Sequence, residues 1–320
     1  MPTQLRQYKA FKPFFYFRDW IMDATGLFRL KHFVKLKLFY WKLQRQDWYK
    51  KLKIRRYIRS IDNNLIQQDI TTNDIIFSVT SYGKRVTDTL PYMLYSLLIQ
   101  TQKPKKVVVF LDNDNWSDEK LPSILTKLQQ IGIQFYYCED LKSFKKLIPA
   151  LKMFPNNPIV TLDDDFYYNK QYVERISKAY DLSDKKTVLG HIGVRPIKKD
   201  GTYTPYNKWG KSNDNDTNSD ISFIGCGGVC YPPHIFDNEI LKSDIFMNLC
   251  PAADDIWFWA MEERQHIRRA YIQPMGYGHN TYVNRVEEYD LSITSTLMFQ
   301  NVNENKNNQQ LEAVVNYYNL

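Results

Sequence analysis

The sequence contains little glycine and little cysteine, the two residue types that mark several specialised architectures. Its 12 glycines among 320 residues exclude collagen-like and glycine-rich chains. Four cysteines are present without any CxxC pair, at a density far below that of a secreted disulfide scaffold; they are Cys138, Cys226, Cys230 and Cys250. Zinc-ribbon and disulfide-framework proteins are therefore excluded, and we expect a reducing compartment.

Long apolar segments are also missing. No stretch of about 18 apolar residues is present to span a bilayer. The start, MPTQLRQYKAFKPFFYFRDW, has neither the continuous apolar region nor the small-residue cleavage site of a signal peptide. We therefore expect a cytoplasmic protein that is not exported and does not cross a membrane. Its 43% apolar and 15% aromatic residues predict a well-packed core.

The positive charge of the chain is concentrated in one segment. The net charge is +8, but residues 1–60 hold 16 Lys/Arg against three acids, a net +13, and the remainder has a net −5. A nucleic-acid-binding protein more often carries basic residues across its folded domain. The distribution predicts a basic appendage on a mildly acidic body, without a nucleic-acid partner.

The first 60 residues interleave cations with aromatic rings. Between positions 28 and 43 the apolar residues at 30, 33, 34, 38 and 41 have helical spacing, which predicts a basic amphipathic helix in an extension over residues 1–70. Such a helix suits the interface of an anionic membrane. Packing on the body of the protein or on a second subunit is the equal alternative, and RNA binding is a distant third.

From residue 75 the sequence alternates between strand and helix patterns. Short apolar runs at 75–81, 107–114, 133–140 and 158–165 are separated by segments with helical spacing. This alternation predicts an α/β fold with a mostly parallel sheet and helices on both faces. Ligands of such sheets bind at the carboxyl ends of the strands. We expect one domain over residues 71–295, with acceptor-side structure from about 187 to 290, then a polar loop and a short C-terminal helix over 296–320.

Three consecutive aspartates close the fourth predicted strand. Adjacent carboxylates at the end of a buried strand repel one another, so a cation is their natural partner, and hard oxygen ligands favour Mg²⁺ or Mn²⁺. Alternation along a strand predicts that Asp163 and Asp165 share one side and that Asp164 points away. The alternative is a solvated acidic turn.

Four motifs in order carry a family resemblance. The sequence TLDDD follows a SYGKR turn and precedes GCGGVCYPP and then PAADDIWF. Together, over about residues 74–290, these motifs resemble the bacterial nucleotide-sugar glycosyltransferases of the GT-A fold, closest to the family 2-like branch. The resemblance implies a GT-A-like, Rossmann-like domain that binds a nucleotide-diphosphate sugar and a divalent metal ion.

The resemblance also implies roles for individual residues. In the acidic triplet, Asp163 would contact the ribose and Asp165 the metal, with Asp163 sharing the metal site and Asp164 auxiliary. Around the rest of the donor it implies stacking by Tyr82 on the base and pairing of Arg85 with phosphate. The remaining implied donor contacts are Thr80, Asp112, Lys146, Gly227 and Gly228. Each of these residues has an alternative role in a turn or a cap.

The PAADD motif contains the implied catalytic pair. In the resembling enzymes an acidic pair before an apolar helix supplies the general base, which implies Asp255 as base and Asp254 as its support. This sequence has Asp where the common pattern begins with Glu, so the choice between the two stays open. Both carboxylates would also complement a helix dipole. His279 is a candidate third metal ligand, with an ordinary loop histidine as the alternative.

The resemblance thus implies a metal-dependent, inverting glycosyltransferase acting on a hydroxyl acceptor. The basic N-terminus extends this to a glycan or lipid-linked acceptor at the inner membrane surface, in capsule or lipopolysaccharide synthesis, with peripheral membrane attachment. Two alternatives stay open. One is a sugar nucleotidyltransferase, although the SYGKRVTDTLP turn has only one glycine of the glycine-rich loop those enzymes carry. The other is a nucleotide-binding or membrane-surface module without turnover.

Overall fold

The computed structural model describes residues 27–61, 74–211, 221–272, 280–284 and 305–320. The chain divides into two compact units, Met1–Lys50 and Lys51–Leu320. The first helix, α1 (Leu27–Ser60), contains the predicted helix over 28–43 and continues well beyond it. The predicted domain boundaries near residues 70 and 295 lie outside the described residues. Among the described helices, none combines the length and apolar character needed to cross a bilayer.

Short helices and strands alternate through the second unit. After α1, its α-helices are α2 (Arg85–Asp88), α3 (Leu90–Leu98), α4 (Ser123–Gln130), α5 (Ile148–Met153), α6 (Tyr172–Leu182), α7 (Ser243–Leu249), α8 (Asp254–Arg264) and α9 (Lys306–Tyr318). Short 3₁₀ helices cover Asp118–Lys120, Lys142–Lys146, Tyr206–Lys208, Gly225–Gly227 and Asn238–Leu241. The 3₁₀ helix Lys142–Lys146 is separated from α5 at Leu147, just before Pro149.

Seven strands form the central sheet. They are β1 (Ile76–Thr80), β2 (Lys106–Asp112), β3 (Gln134–Cys138), β4 (Ile159–Leu162), β6 (Val188–Gly190), β12 (Val229–Tyr231) and β13 (Arg269–Tyr271), in the order β13-β6-β12-β4-β1-β2-β3. All neighbours pair in parallel except β12, which is antiparallel to both β4 and β6. The predicted α/β class with a mostly parallel sheet flanked by helices is confirmed.

In the part of the chain that the structure describes, seven further strands, all short, lie outside the central sheet. These are β5 (Phe166–Tyr167), β7 (Gly193–Arg195), β8 (Lys198–Lys199), β9 (Thr202–Tyr203), β10 (Gly210–Lys211), β11 (Ser222–Phe223) and β14 (Thr281–Tyr282). The strands β10, β7 and β11 form a three-stranded sheet, while β14 pairs with β5 and β8 with β9. Most of them lie between residues 187 and 290, the segment expected to form acceptor-side structure.

The central sheet is buried on both faces because its strands are continuous apolar runs. Along β2, Val107 and Val109 belong to one hydrophobic cluster, while Val108 and Phe110 belong to another. The first cluster includes apolar residues of α3, α4 and α6. The second includes residues of α5, α8 and α9, among them Trp257. Because successive side chains of a strand point to opposite faces, a layer of helices packs on each face of the sheet.

The fourth strand ends earlier than the sequence predicted. It closes at Leu162, so the three aspartates lie in the turn between β4 and β5 instead of on the strand. Strand alternation therefore does not decide which way their side chains point. The position of the turn is as expected, because it follows the carboxyl end of a central parallel strand.

The reversed strand β12 brings a second segment to this edge of the sheet. Val229, its first residue, pairs with Thr161 near the end of β4, and Tyr231 pairs with Ile159. The glycine-rich turn that precedes β12 therefore lies beside the carboxyl end of β4. As a result, the TLDDD and GCGG motifs, more than 60 residues apart, are neighbours.

Candidate functional site

The segment after β1 holds the acidic turn through two side chains. The hydroxyl of Ser81 donates a hydrogen bond to Asp164, and the guanidinium of Arg85 pairs with both Asp164 and Asp165. These contacts form because β1 and β4 are parallel neighbours whose carboxyl ends share one edge. Arg85, predicted to pair with donor phosphate, thus pairs with carboxylates of its own chain.

The acidic triplet is arranged differently from the expectation. Asp164 is buried and, with Asp165, faces Arg85, whereas Asp163 turns toward Lys146. The prediction that Asp163 and Asp165 share one side was therefore wrong, because the turn replaces the last residues of the expected strand. Burial raises the pKa of Asp164, and the charge of Arg85 and the hydrogen bond from Ser81 oppose that rise.

A single lysine joins the two acidic motifs. Lys146 Nζ lies 3.0 Å from Asp163 Oδ1 and 2.9 Å from Asp254 Oδ2, and its side chain is buried. Burial disfavours its charge, but the carboxylates of Asp163, Asp254 and Asp255 outweigh that effect and hold the pKa of Lys146 well above its ordinary value. Lys146 is therefore a permanent cation between the end of β4 and the start of α8.

The two carboxylates that open α8 have different surroundings. Asp254 pairs with Lys146, whereas Asp255 accepts hydrogen bonds from the Gly225 amide, at 3.2 Å to Oδ1 and 3.1 Å to Oδ2. Burial and the neighbouring charge of Asp254 raise the pKa of Asp255, and the charge of Lys146 opposes them. A carboxylate with a raised pKa accepts protons more readily than an ordinary one, as general-base catalysis requires.

The glycine-rich turn is constrained by close packing. Gly228 has a φ of +80°, and a Cβ there would lie 1.7 Å from Tyr172 Oη. A Cβ on Gly227 would lie 2.8 Å from the side chain of Ile192. The carbonyl of Gly227 accepts a hydrogen bond from the hydroxyl of Tyr172. Of the three glycines, Gly225 is the one beside the charged groups, since a Cβ there would lie 2.6 Å from Lys146 Nζ and 3.0 Å from Asp255 Oδ1.

Three further residues predicted to bind the nucleotide-sugar donor lie at the carboxyl ends of β1 and β2: Thr80, Tyr82 and Asp112. Tyr82 is 42% exposed, with the Arg85 guanidinium 5.6 Å from its ring centre. The hydroxyl of Thr80 donates to the Phe110 carbonyl at 2.8 Å, which ties β1 to β2. Asp112 is buried and accepts from the amide and the side chain of Asn115, at 2.9 and 2.6 Å. The contacts of Thr80 and Asp112 are thus those of strand-end and turn residues.

The described residues include two of the three predicted metal ligands, Asp163 and Asp165. Within those ranges, no group of three His, Cys, Asp or Glu side chains is placed to hold a metal ion. Lys146 pairs with Asp163 and Arg85 with Asp165, so cations of the chain itself offset the acidic charge that suggested a metal. His279, the candidate third ligand, lies outside the described residues. The expectation of Mn²⁺ or Mg²⁺ stays a prediction.

Four residues at the site were not predicted. They are Ser81, which binds Asp164; Gly225, which binds Asp255; Tyr168, whose hydroxyl accepts from the Asp163 amide at 2.9 Å; and Tyr206, whose pKa is raised by burial and then by the charge of Asp255. Ser81 and Gly225 stand inside motifs that had already been singled out. The two tyrosines carry no local signal, since their positions follow from tertiary packing.

Comparisons with known proteins give similarity at the level of structure alone. No protein-family model matches the chain. The search of curated proteins found no match either.

The four cysteines are free thiols.

Several solved structures are similar to the chain. "S. aureus TarS 1-349" has 16% identity and a TM-score of 0.42, covering 76% of this chain and 71% of that one. A CMP:2-keto-3-deoxy-manno-octonic acid synthetase complexed with CTP has 11% identity and a TM-score of 0.39, covering 62% and 89%. A UDP-glucose pyrophosphorylase complexed with UDP-glucose has 11% identity and a TM-score of 0.38, covering 78% and 99%. Neither a reaction nor a ligand of this chain follows from likenesses of this size.

Proposed function

We propose that this protein is a glycosyltransferase of the GT-A type, which moves a sugar from a nucleotide-diphosphate donor to a hydroxyl acceptor. The observation that carries the proposal is the contact of Lys146 with both acidic motifs, at 3.0 Å to Asp163 and 2.9 Å to Asp254. The motifs lie about 90 residues apart in sequence. Their convergence supports a site in which the donor lies against the first and the acceptor against the second.

Asp255 is the proposed general base. It accepts the proton of the acceptor hydroxyl, whose oxygen then forms the new bond to the anomeric carbon. The bond from that carbon to the diphosphate breaks, and its electron pair leaves with the diphosphate. Attack from the side opposite the leaving group inverts the configuration. The raised pKa of Asp255 supports this role, because it brings the carboxylate closer to the basicity of the group it must deprotonate.

Arg85 is the proposed cation facing the donor phosphates. Its guanidinium is partly exposed, unlike the ammonium of Lys146, and lies beside the exposed ring of Tyr82. Negative charge that builds on the departing diphosphate is stabilised by a cation already in place. Tyr82 is the proposed stacking surface for the base. A divalent metal ion held by Asp163 and Asp165, the cofactor that the family resemblance implies, would supply further positive charge at the same phosphates.

The acceptor and location form the finer part of the proposal. The cationic and aromatic residues of α1 support a lipid-linked acceptor at the cytoplasmic face of a bacterial membrane, as in capsule or lipopolysaccharide synthesis. This placement depends on the charge of one helix, so an experiment that rejects it leaves the proposed reaction class standing.

A substrate screen tests the reaction class. The protein is incubated with a panel of nucleotide-diphosphate sugars, and release of nucleoside diphosphate is measured with and without Mn²⁺. We expect slow hydrolysis of one donor. A parallel assay supplies nucleoside triphosphates and sugar 1-phosphates; pyrophosphate release there, without donor hydrolysis, would instead identify a nucleotidyltransferase. Binding of nucleotides with neither activity would identify a module without turnover.

A further inference from the structure

The helix α1 is strongly cationic along its whole length. It contains 12 Lys/Arg and a single acidic residue, Asp47, among 34 residues. At 1.5 Å per residue such a helix is about 50 Å long. Outside residues 1–60 the chain has more acids than bases. The positive charge of the protein is therefore concentrated on this long helix.

Large aromatic side chains on α1 are exposed to solvent. Phe33 is 56% exposed, Trp41 58% and Trp48 62%. At about 100° per residue, the three residues fall within an arc of about 80° around the helix, so their rings lie on one face. We call these three residues the aromatic stripe. From Phe33 to Trp48 it extends about 22 Å along the axis.

Cations accompany the aromatic stripe at regular intervals. Lys37 Nζ lies 5.4 Å from the ring centre of Phe33, and the Arg45 guanidinium lies 5.3 Å from that of Trp41. Each cation is four residues after its ring, one turn along the same face. Lys37 and Arg45 are themselves exposed. The stripe thus presents aromatic rings with positive charge directly beside them.

We propose that the aromatic stripe of α1 is a docking surface for anionic lipid bilayers. Indole and phenyl rings favour the boundary between headgroups and acyl chains, and neighbouring lysines and arginines bind lipid phosphates at the same depth. The three rings lie within one narrow arc of the helix surface, so all three can enter a flat surface together.

The test measures binding of the full-length protein to lipid vesicles. Flotation is compared between vesicles of phosphatidylcholine alone and vesicles containing phosphatidylglycerol. We expect binding only to the anionic vesicles, and we expect it to weaken as salt rises, because screening shortens the reach of surface charges. Equal binding to both compositions would overturn the proposal.

Two variants locate the surface. In the first, Phe33→Ala, Trp41→Ala and Trp48→Ala are combined, and we expect the vesicle partition coefficient to fall at least tenfold. Its control is Leu182→Ala, which removes an apolar side chain that is 79% exposed at the end of α6. In the second, Lys37→Glu and Arg45→Glu are combined, with Lys170→Glu and Lys178→Glu as a charge-matched control elsewhere. Each lysine near an anionic surface changes binding by about fivefold.

The remaining outcomes also decide the question. Thermal melts of all variants check that the fold is intact, and alanine preserves helix propensity at the exposed positions. Unchanged flotation of the aromatic variant, with an unchanged melt, would overturn the proposal. So would binding to a duplex RNA that depends on the same residues while vesicle binding is absent. Because vesicle binding needs no donor or acceptor, it can succeed or fail independently of the proposed reaction.

Discussion

The ammonium of Lys146 and the carboxylate of Asp254 form a buried ion pair 2.9 Å long, which connects the segment before β4 to the first residue of α8. The same ammonium lies 3.0 Å from Asp163. Because a buried charge is tolerated only with partners, each of these groups fixes the position of the others. The pair therefore sets the geometry of the edge at which the proposed donor and acceptor meet.

Replacing Asp255 by Asn tests the general base. Asn keeps the shape of the side chain but cannot take a proton at neutral pH, so we expect transfer to fall by about 10²- to 10⁴-fold. Single-turnover assays with saturating donor measure the loss. The control is Asp244→Asn, which removes an exposed carboxylate from the first turn of α7. Near-normal turnover of the Asp255 variant would remove its assigned role.

Replacing Lys146 by Met tests its electrostatic role. The change leaves Asp163 and Asp254 without their shared cation, and loss of one partner of a buried pair costs about 3–5 kcal/mol of stability. Lys146 lowers the pKa of Asp255, so its removal raises that pKa further. Since the base must be deprotonated, the acid limb of the kcat/KM profile is expected to move to higher pH.

A neighbouring lysine separates stability from catalysis in this experiment. Lys145 is also buried and pairs with Asp140 at the rim. We expect Lys145→Met to lower stability without moving the acid limb of the kcat/KM profile. We expect Lys146→Arg, which keeps the positive charge, to have an acid limb between those of the natural protein and Lys146→Met. A shift of equal size in both methionine variants would show that Lys146 acts on the fold alone.

Binding of nucleoside diphosphates tests the predicted metal. Titration calorimetry with UDP and GDP, with and without Mn²⁺, is compared between the natural protein and Asp165→Asn. A metal ion that binds at the acidic triplet must compete with Arg85 for Asp165. In that case, removing the metal ion should weaken nucleotide binding at least tenfold. The Asp165 variant should then lose the metal dependence. Equal affinity in the presence of a chelator would leave Arg85 as the cation that faces the phosphates.

Replacing Gly228 by Ala tests the packing of the glycine-rich turn. Its positive φ alone costs about 1–3 kcal/mol for a residue with a side chain, and the new Cβ would overlap the hydroxyl of Tyr172. Urea unfolding should therefore show a larger loss than Gly201→Ala, a position with a φ of +81° and no atom within 4 Å of its Cβ. Equal losses would mean that the contact with Tyr172 contributes nothing.

The layout of the fold was predictable from local patterns. The runs that became β1, β2, β3 and β4 are rich in β-branched and aromatic residues, and the helical spacing between them is clear, so the parallel sheet and its two helical layers followed. The exact end of β4 did not follow, because the sequence TLDDD continues the strand pattern while the chain turns after Leu162. Strands of three residues, such as the reversed β12, are too short for periodicity to reveal their direction.

The candidate site was predictable by motif but not by contact. Asp163 and Asp254 were singled out, yet nothing in a sequence says that one buried lysine pairs with both. The family resemblance assigned Arg85 to phosphate, and the structure pairs it with Asp164 and Asp165. Partners of buried charges depend on long-range packing, which one sequence does not encode in any local pattern.

The reversal of β12 has a consequence for how this scaffold tolerates change. With one strand entering the edge where β1 and β4 leave it, the segments that carry chemistry gather at one end of the sheet. The turns before β2 and β4, at residues 101–105 and 155–158, lie at the other end. Surface turns remote from the chemistry are where added segments do least harm. New domains or tags inserted there would leave the reactive groups undisturbed, which makes that end the natural place to engineer or to diversify the protein.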